Sequence, residues 1–546
     1  MTLSDLLQNL TLRRLMVYAG LALVVMGPLL GWGYILTFDM PWTPHLVPPT
    51  HWDSNSMVVF WVLYVVSLVI PSMLLQKLML IGILVGAALG GHVLARRRVG
   101  ETAAYLAGVF MMINPYMYTR LMAGQFLVMA GLALLPWVAW SWQRLLERPG
   151  RRSALRAGGV LVLLGLVSIH TVGMAAVLVL VQSLAFGWGR WERLRAVWPW
   201  ALGVAGGWLV LNANWMVPLL VGTSPQAHQI AVMDVAQAEA FATQSGAGGA
   251  LLTVATLGGF WADHLGRYVL ASSTGVWFWL GWVFLGGLVV AGFVQALRRR
   301  HRLELALGIS GIIGYVVALG LATPVTAVVF TSAITHLPLV GGYREPQKWA
   351  AVLVVAQAVL AAGGLHWVAE RLRGLRREAV LGGALLLPLI ITPMMLVGAG
   401  GQLRAVDYPQ SWYELSERLQ GPGVVGSTLM LPWHQYLRLG FVGRVVANPA
   451  PAFFPGTIIS SANPEQPGVP DGADPGGVAA AVGDKVLAER FTSTELAGTM
   501  RGLGIGQVVV VKESDWQDYD WVAKQPGLKL VAETDAWQLW QVESNQ

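Results

Sequence analysis

Long apolar runs, separated by short clusters of Arg and Lys, set the pattern of this chain from its start to about residue 400. "LMVYAGLALVVMGPLLGWGYIL" (15–36) is one such run, long enough as a helix to cross a hydrocarbon core of about 30 Å. Runs of this kind predict helices near 15–36, 75–95, 101–115, 125–145, 155–169, 172–188, 197–220, 275–296, 303–322, 349–368 and 379–398, about eleven spans in all. The first run is too long for a signal-peptide core and no small-residue cleavage site follows it, so it reads as a retained helix. "MVVFWVLYVVSLVIPSM" (57–73) is apolar enough to span. Counting it would put "RRR" (96–98) on the wrong side, so it is expected to be an interfacial or re-entrant helix. The segment 221–274, with "GAGGALLTVATLGGFW", is expected to hold a second re-entrant piece.

Beyond residue 400 the pattern changes to polar turns and short β-branched runs. "GVVGSTLMLP" (423–432), "GQVVVVK" (506–512), "LKLVAE" and "WQLWQVE" predict strands. "SWYELSERLQ" (411–420) and "VGDKVLAERF" (482–491) predict helices, and "PEQPGVPDGADPGG" a mobile loop. The expected architecture is a polytopic α-helical membrane module over 1–399 followed by a small α/β domain over 400–546.

Charge orients this layout. The clusters Arg13–Arg14, "RRR" (96–98), 144–156, 189–195, 298–302 and 370–377 all fall on one side in the eleven-span threading. Of the Lys and Arg in 1–400, 21 then face the cytoplasm and five (Lys77, Arg120, Arg267, Arg344, Lys348) do not. The N-terminus is therefore expected inside and 400–546 outside, in the cytoplasmic membrane. Residues 1–400 carry 26 Lys+Arg against 13 Asp+Glu (+13), and 401–546 carry 10 against 16 (−6), which together give the net +7. The basic excess belongs to the membrane part, where orientation accounts for it, and nucleic-acid binding is not expected. Mean hydropathy is +0.58. The absence of Cys excludes disulfides, thiolate ligands and a Cys nucleophile.

Few acids are available for chemistry outside the membrane. In 1–400 they are Asp39, Asp53, Asp234, Glu239, Asp263 and Glu345. Asp39, in "YILTFDMPWTPH", sits where the first helix leaves the membrane, a depth at which a carboxylate is costly unless paired or wet. Asp53, in "THWDSNS", suits a helix cap with Ser54 and Ser56, with a catalytic or metal role as its other reading. "YREPQKW" (343–349) gathers Arg344, Glu345 and Lys348 at a re-entry point. Two cations there either anchor to lipid headgroups or clamp a phosphate, Arg bidentately and Lys as a point charge. Glu345 would orient Arg344 or act as acid/base. Arg120 and Gln125 ("NPYMYTRLMAGQF") and His170 ("VSIHTVG") lie on the same face. His170 is read first as a hydrogen-bonding residue at a helix junction. Asp263–His264 is a weak metal candidate because adjacent residues point apart. No phosphate-cradling Gly loop, HExxH or GxSxG occurs.

An Asp after the first helix, a long first outer loop holding an apolar helix, "NPYMYTRLMAGQ" with "LALLPW" in the next helix, and "YREPQKW" before a late span resemble the GT-C superfamily of membrane glycosyltransferases. The last two features are most similar to the arabinofuranosyltransferase branch and its uncharacterised bacterial and archaeal relatives. The resemblance implies transfer of a sugar from a polyprenyl-phosphate donor to an extracytoplasmic glycan, lipid or protein acceptor, with inversion. It implies Asp39 as general base; Arg344, Lys348 and Arg120 are then the candidates for the donor-phosphate clamp, and Asp53, Gln125 and His170, on the same outer face, are candidates for the acceptor or substrate site. A divalent cation, Mg or Mn, is left open, because Asp39 is followed by "MPW" where many members carry a second acid. The other readings are a lipid-glycan flippase or transporter, which would want polar residues at midplane, and a non-catalytic membrane scaffold subunit.

Overall fold

The computed structural model describes residues 10–50, 52–189, 191–231, 233–337, 339–421, 426–466, 469 and 477–543. Most of the expected mobile loop at 464–477 and the start of the expected strand at 423–432 lie outside the described residues. In chain order the principal helices are α1 (Leu10–Met26), α2 (Met57–Ser67), α3 (Ser72–Arg96), α4 (Glu101–Met112), α5 (Pro115–Met122), α6 (Phe126–Glu147), α7 (Arg151–Val167), α8 (Ile169–Gly187), α9 (Trp191–Leu211), α10 (Ala213–Val221), α11 (Val276–Arg298), α12 (Arg302–Leu319), α13 (Pro324–His336), α14 (Ala350–Ala369), α15 (Gly374–Ile391) and α16 (Gln410–Arg418). Contacts divide the chain into two units, one of 1–30, 48–63 and 77–403 and a second of 31–47, 64–76 and 404–546.

The first unit is a helical membrane module. Among the described residues, eight helices are long and apolar enough to cross a membrane, and the bent pair Gly374–Ile391 and Pro393–Gly400 makes up to nine. The two other positions where spans were expected hold α4 and α7, of 12 and 17 residues. The apolar α2 has 11 residues, about 16 Å at 1.5 Å per residue, and is too short to cross. The chain is a multi-pass membrane protein.

Burial separates inner helices from outer ones. The span ending in α14 is 72% buried in its apolar window, whereas α9 is 11% buried and presents Trp191, Trp198 and Leu209 outward. Glycine lets α14 sit close to its neighbours. A Cβ on Gly364 would lie 2.0 Å from the Leu288 carbonyl oxygen of α11, and one on Gly292 2.0 Å from the Leu360 carbonyl oxygen. This is the backbone contact that small residues permit in membranes, where apolar burial alone does not drive association. At another point Arg14 of α1 donates to both oxygens of Glu101, at 2.6 and 2.9 Å. His92 of α3 lies 3.2 Å from the same carboxylate.

The second unit is α/β. Its strands are β1 (Ser427–Leu431), β2 (Tyr436–Leu439), β3 (Arg444–Ala447), β4 (Ile458–Ile459), β5 (Ile505–Val511), β6 (Leu528–Glu533) and β7 (Trp537–Val542). The main sheet has the order β4-β1-β5-β7-β6, parallel from β4 to β5 and antiparallel beyond. Six of the seven β5 residues are buried, the near-continuous apolar run of a strand covered on both faces. Leu429, Leu431, Val508, Val510, Met500 and Trp521 form its core. β2 and β3 make a separate hairpin, and the first outer loop joins its edge: Ala447 N–H donates to the Phe38 carbonyl at 2.7 Å.

Candidate functional site

The "NPYMYTR" turn builds the first wall of the site. Asn114 caps α5 by accepting from the Met117 N–H at 2.9 Å, with Pro115 at the first helical position, an arrangement that satisfies an otherwise orphaned donor. Arg120 lies in the last turn of this helix. Gly124 then adopts φ +70°, a left-handed conformation glycine takes at no steric cost, and the chain folds back so that Gln125 reaches Arg120. The guanidinium of Arg120 is fully buried. Its Nη1 donates to Gln125 Oε1 at 2.7 Å and its Nη2 to Gln347 Oε1. The rings of Tyr116 and Phe260 lie 4.9 and 4.5 Å from its central carbon.

"YREPQKW" supplies the second wall. Pro346–Trp349 form a single 3-10 turn just after Glu345, and the Lys348 N–H donates to the Glu345 carbonyl at 3.1 Å, so the two residues meet. Lys348 Nζ is 2.7 Å from Glu345 Oε1. Glu345 Oε2 is 3.6 Å from Arg120 Nη1. Only 7% of the Lys348 side chain and 11% of Glu345 are exposed, so this is a buried cation–carboxylate–cation chain. Burial alone would raise the Glu345 carboxyl, but the Lys348 and Arg120 charges outweigh it and hold it at about 2. The Tyr116 hydroxyl donates to the Lys348 carbonyl at 3.0 Å, tying the two walls together.

The sequence reading paired Glu345 with Arg344, and the structure pairs it with Lys348 and Arg120 instead. The turn closed by the Lys348 N–H on the Glu345 carbonyl brings Lys348 back to Glu345 and leaves Arg344 outside it. The Arg344 guanidinium stacks 4.6 Å from the Phe241 ring. Gln125 joins the cluster as a ligand of Arg120. His170, on α8, sits edge-on to Tyr343, ring centres 6.5 Å apart, and Tyr343 Oη accepts from the Gly173 N–H at 3.1 Å.

Gln347 was not singled out from the sequence, although it lies inside the quoted motif. It accepts from Arg120 and donates to the Gly258 carbonyl at 3.3 Å, joining the turn to the loop that carries Phe260. Asp263 and His264 hold that loop. Asp263 accepts from the Gly259 N–H at 3.1 Å and from the Tyr268 hydroxyl at 2.5 Å, and its burial raises the carboxyl above the usual range. His264 Nδ1 lies 2.7 Å from the Trp261 carbonyl.

Asp39 belongs to the second unit. The Tyr436 hydroxyl of β2 donates to its Oδ1 at 2.8 Å, and Phe38 stacks on the Tyr436 ring at 4.4 Å. Asp53 is not a helix cap: among the described residues its side chain makes no hydrogen bond, and Ser54 lies against Ser56 and Gln226, at 3.4 and 2.8 Å. Among the described residues no group of three His, Asp or Glu gathers as a divalent cation would require.

The second unit also carries an ionic group that the sequence did not single out. His434, after β1, lies between Glu465, which follows β4, and Asp515, which follows β5. Its Nδ1 is 2.5 Å from Glu465 Oε1, and its Nε2 is 3.0 and 2.9 Å from the two Asp515 oxygens. Burial lowers the imidazole, but bonds to the two carboxylates outweigh it and raise it above the usual value.

No family model and no curated protein matches the chain. Solved structures do. Arabinofuranosyltransferase AftD from Mycobacteria aligns over 98% of the chain with a TM-score of 0.61 and 16% identity, and the chain spans 40% of that protein's length. ArnT from Cupriavidus metallidurans in the apo state aligns over 98% of the chain and 100% of its own, with a TM-score of 0.54 and 15% identity. What is shared at this identity is architecture: the chain is a multi-pass membrane protein with the GT-C fold.

Proposed function

We propose that the protein is a membrane glycosyltransferase that takes a sugar from a polyprenyl-phosphate donor and passes it to an acceptor hydroxyl outside the cytoplasm. The observation that carries this reading is the buried pair of cations, Arg120 and Lys348, on one carboxylate, with Arg344 next to it in the chain, in a GT-C fold. Three cations against Glu345 leave a formal charge of +2 with His170 counted neutral. A surplus of positive charge inside an apolar module acts with little screening and suits a phosphate.

Transfer needs three events. The acceptor hydroxyl loses its proton to a base, its oxygen bonds to the anomeric carbon, and the bond from that carbon to the phosphate oxygen breaks with its electron pair staying on the phosphate. The last event develops negative charge on the leaving group, where fixed cations act as preorganised stabilisers. Lys348 and Arg344 are assigned that task. Arg120, held by two amides and two rings, sets the positions of Glu345 and Gln347 and is the third cation within the phosphate's reach.

Asp39 is assigned as the base, with the Tyr436 hydroxyl orienting its carboxylate. Glu345 is a poor base because its two cations hold it ionised and low. The test is release of polyprenyl phosphate from a panel of polyprenyl-phosphate sugars by purified protein, with Asp39→Asn in parallel. Turnover with one donor, abolished by the substitution, is expected. Turnover that survives moves the base elsewhere, and no turnover with any donor and cell-envelope acceptors returns the non-catalytic readings.

A further inference from the structure

We propose that Glu345 is a built-in competitor for the donor's phosphate: it holds the two buried cations until the phosphate takes its place. The proposal rests on reading the cluster as a lipid-phosphate site, and three observations carry it.

One carboxylate bridges two cations from different parts of the chain, 2.7 Å from Lys348 Nζ and 3.6 Å from Arg120 Nη1. That is the span a phosphate would cover with two of its oxygens. The bridge is also incomplete. Glu345 Oε2 and Arg120 Nε are both buried without a hydrogen-bond partner, although buried polar atoms in folded proteins nearly always find one. A counter-ion with a purely structural role would be saturated, whereas a tetrahedral anion brings more acceptor oxygens than a carboxylate does. Finally, Glu345 stands just before the 3-10 turn Pro346–Trp349 and outside any helix, so its side chain can swing away without unwinding a span. Arg344, which makes no ion pair among the described residues and lies against Phe241, is the further cation that a displacing phosphate would gain.

Exchange of one anion for another leaves neither buried cation without an anion beside it, which spares the site the cost of an uncompensated ion. It also sets a direction for mutagenesis that a scaffold role does not share, because removing the competitor strengthens ligand binding.

The experiment uses the full chain in lipid nanodiscs and measures binding of radiolabelled undecaprenyl phosphate, with undecaprenol as the phosphate-free control. Glu345→Gln is expected to bind undecaprenyl phosphate at least ~10-fold tighter than wild type, a change of about 1.4 kcal/mol. Lys348→Met is expected to lose the preference over undecaprenol. Glu345→Asp keeps the charge but shortens the reach, and a gain of a few-fold is expected. It serves as the deciding variant if Glu345→Gln does not fold. Equal or weaker binding by both Glu345 variants, while wild type prefers the phosphate, overturns the competitor role and leaves the lipid-phosphate reading intact. No preference for undecaprenyl phosphate in wild type overturns both.

Discussion

Arg344 and Lys348 sit four residues apart and have different physical situations, so their substitutions separate binding chemistry from folding. Arg344 packs on Phe241, and Arg344→Ala is expected to lower turnover by about 10²–10³-fold, the usual effect of removing one preorganised charge partner. The unfolding temperature should move little. Lys348→Met removes the same kind of partner but strands Glu345 as a buried, half-paired carboxylate. It is expected to lose activity and also about 3–5 kcal/mol of stability, the cost of breaking a buried pair on one side. Thermal unfolding of both variants beside their turnover checks the contrast. A stable but inactive Lys348→Met would remove the buried-pair account.

The short turns that bring the walls together carry the next prediction. Gly320 ends α12 with φ +48°, and a Cβ there would lie 2.3 Å from Pro346 Cγ. Gly320→Ala therefore presses on the turn that holds Glu345 and Lys348 while adding a side chain in a disfavoured backbone region. The expected cost is about 1–3 kcal/mol, typical of overpacking, with turnover falling further than stability because the cation positions shift. Gly364→Ala is the control within the core. It should destabilise through the α11–α14 backbone contact and lower activity only in step with the folded fraction.

This scale is also where sequence reading was weakest. The helices of 15 residues and more were legible from their hydropathy, since a run that long has one stable solution in a bilayer. The bent pair at 374–400, the hairpin of β2 and β3, and the attachment of residues 31–47 to that hairpin were not. They depend on pairings distant in sequence, and short segments carry too little periodicity to announce them.

For the molecule as a whole, pH gives a test independent of any donor. A neutral imidazole has one N–H and cannot donate to both Glu465 and Asp515, so the His434 arrangement belongs to the protonated form. Its folded pKa is raised above the unfolded value of about 6.5. The stabilisation is thus fully present below that value and is lost as pH rises through the raised one. Unfolding of the full chain in nanodiscs is expected to become easier as pH rises from about 6.5 through the raised value in wild type. His434→Gln should flatten that dependence and start from the lower stability. An unchanged pH profile in the variant would remove His434 as its source.

The amino-acid sequence by itself determined that this is a many-helix membrane protein with a distinct α/β segment after residue 400, because hydropathy and charge act locally and need no partner. It also placed Arg120, Gln125, Arg344, Glu345 and Lys348 among the candidates, because charges are scarce in so apolar a chain. Only the tertiary structure decided which of them meet. A carboxylate can pair with any cation within reach, and reach is set by a 3-10 turn, a left-handed glycine and the packing of α5 against "PQKW". That geometry gave Glu345 to Lys348 and Arg120, brought in Gln347, took Asp53 out of its cap, and assembled His434, Glu465 and Asp515 from three strand ends that no spacing in the sequence connects.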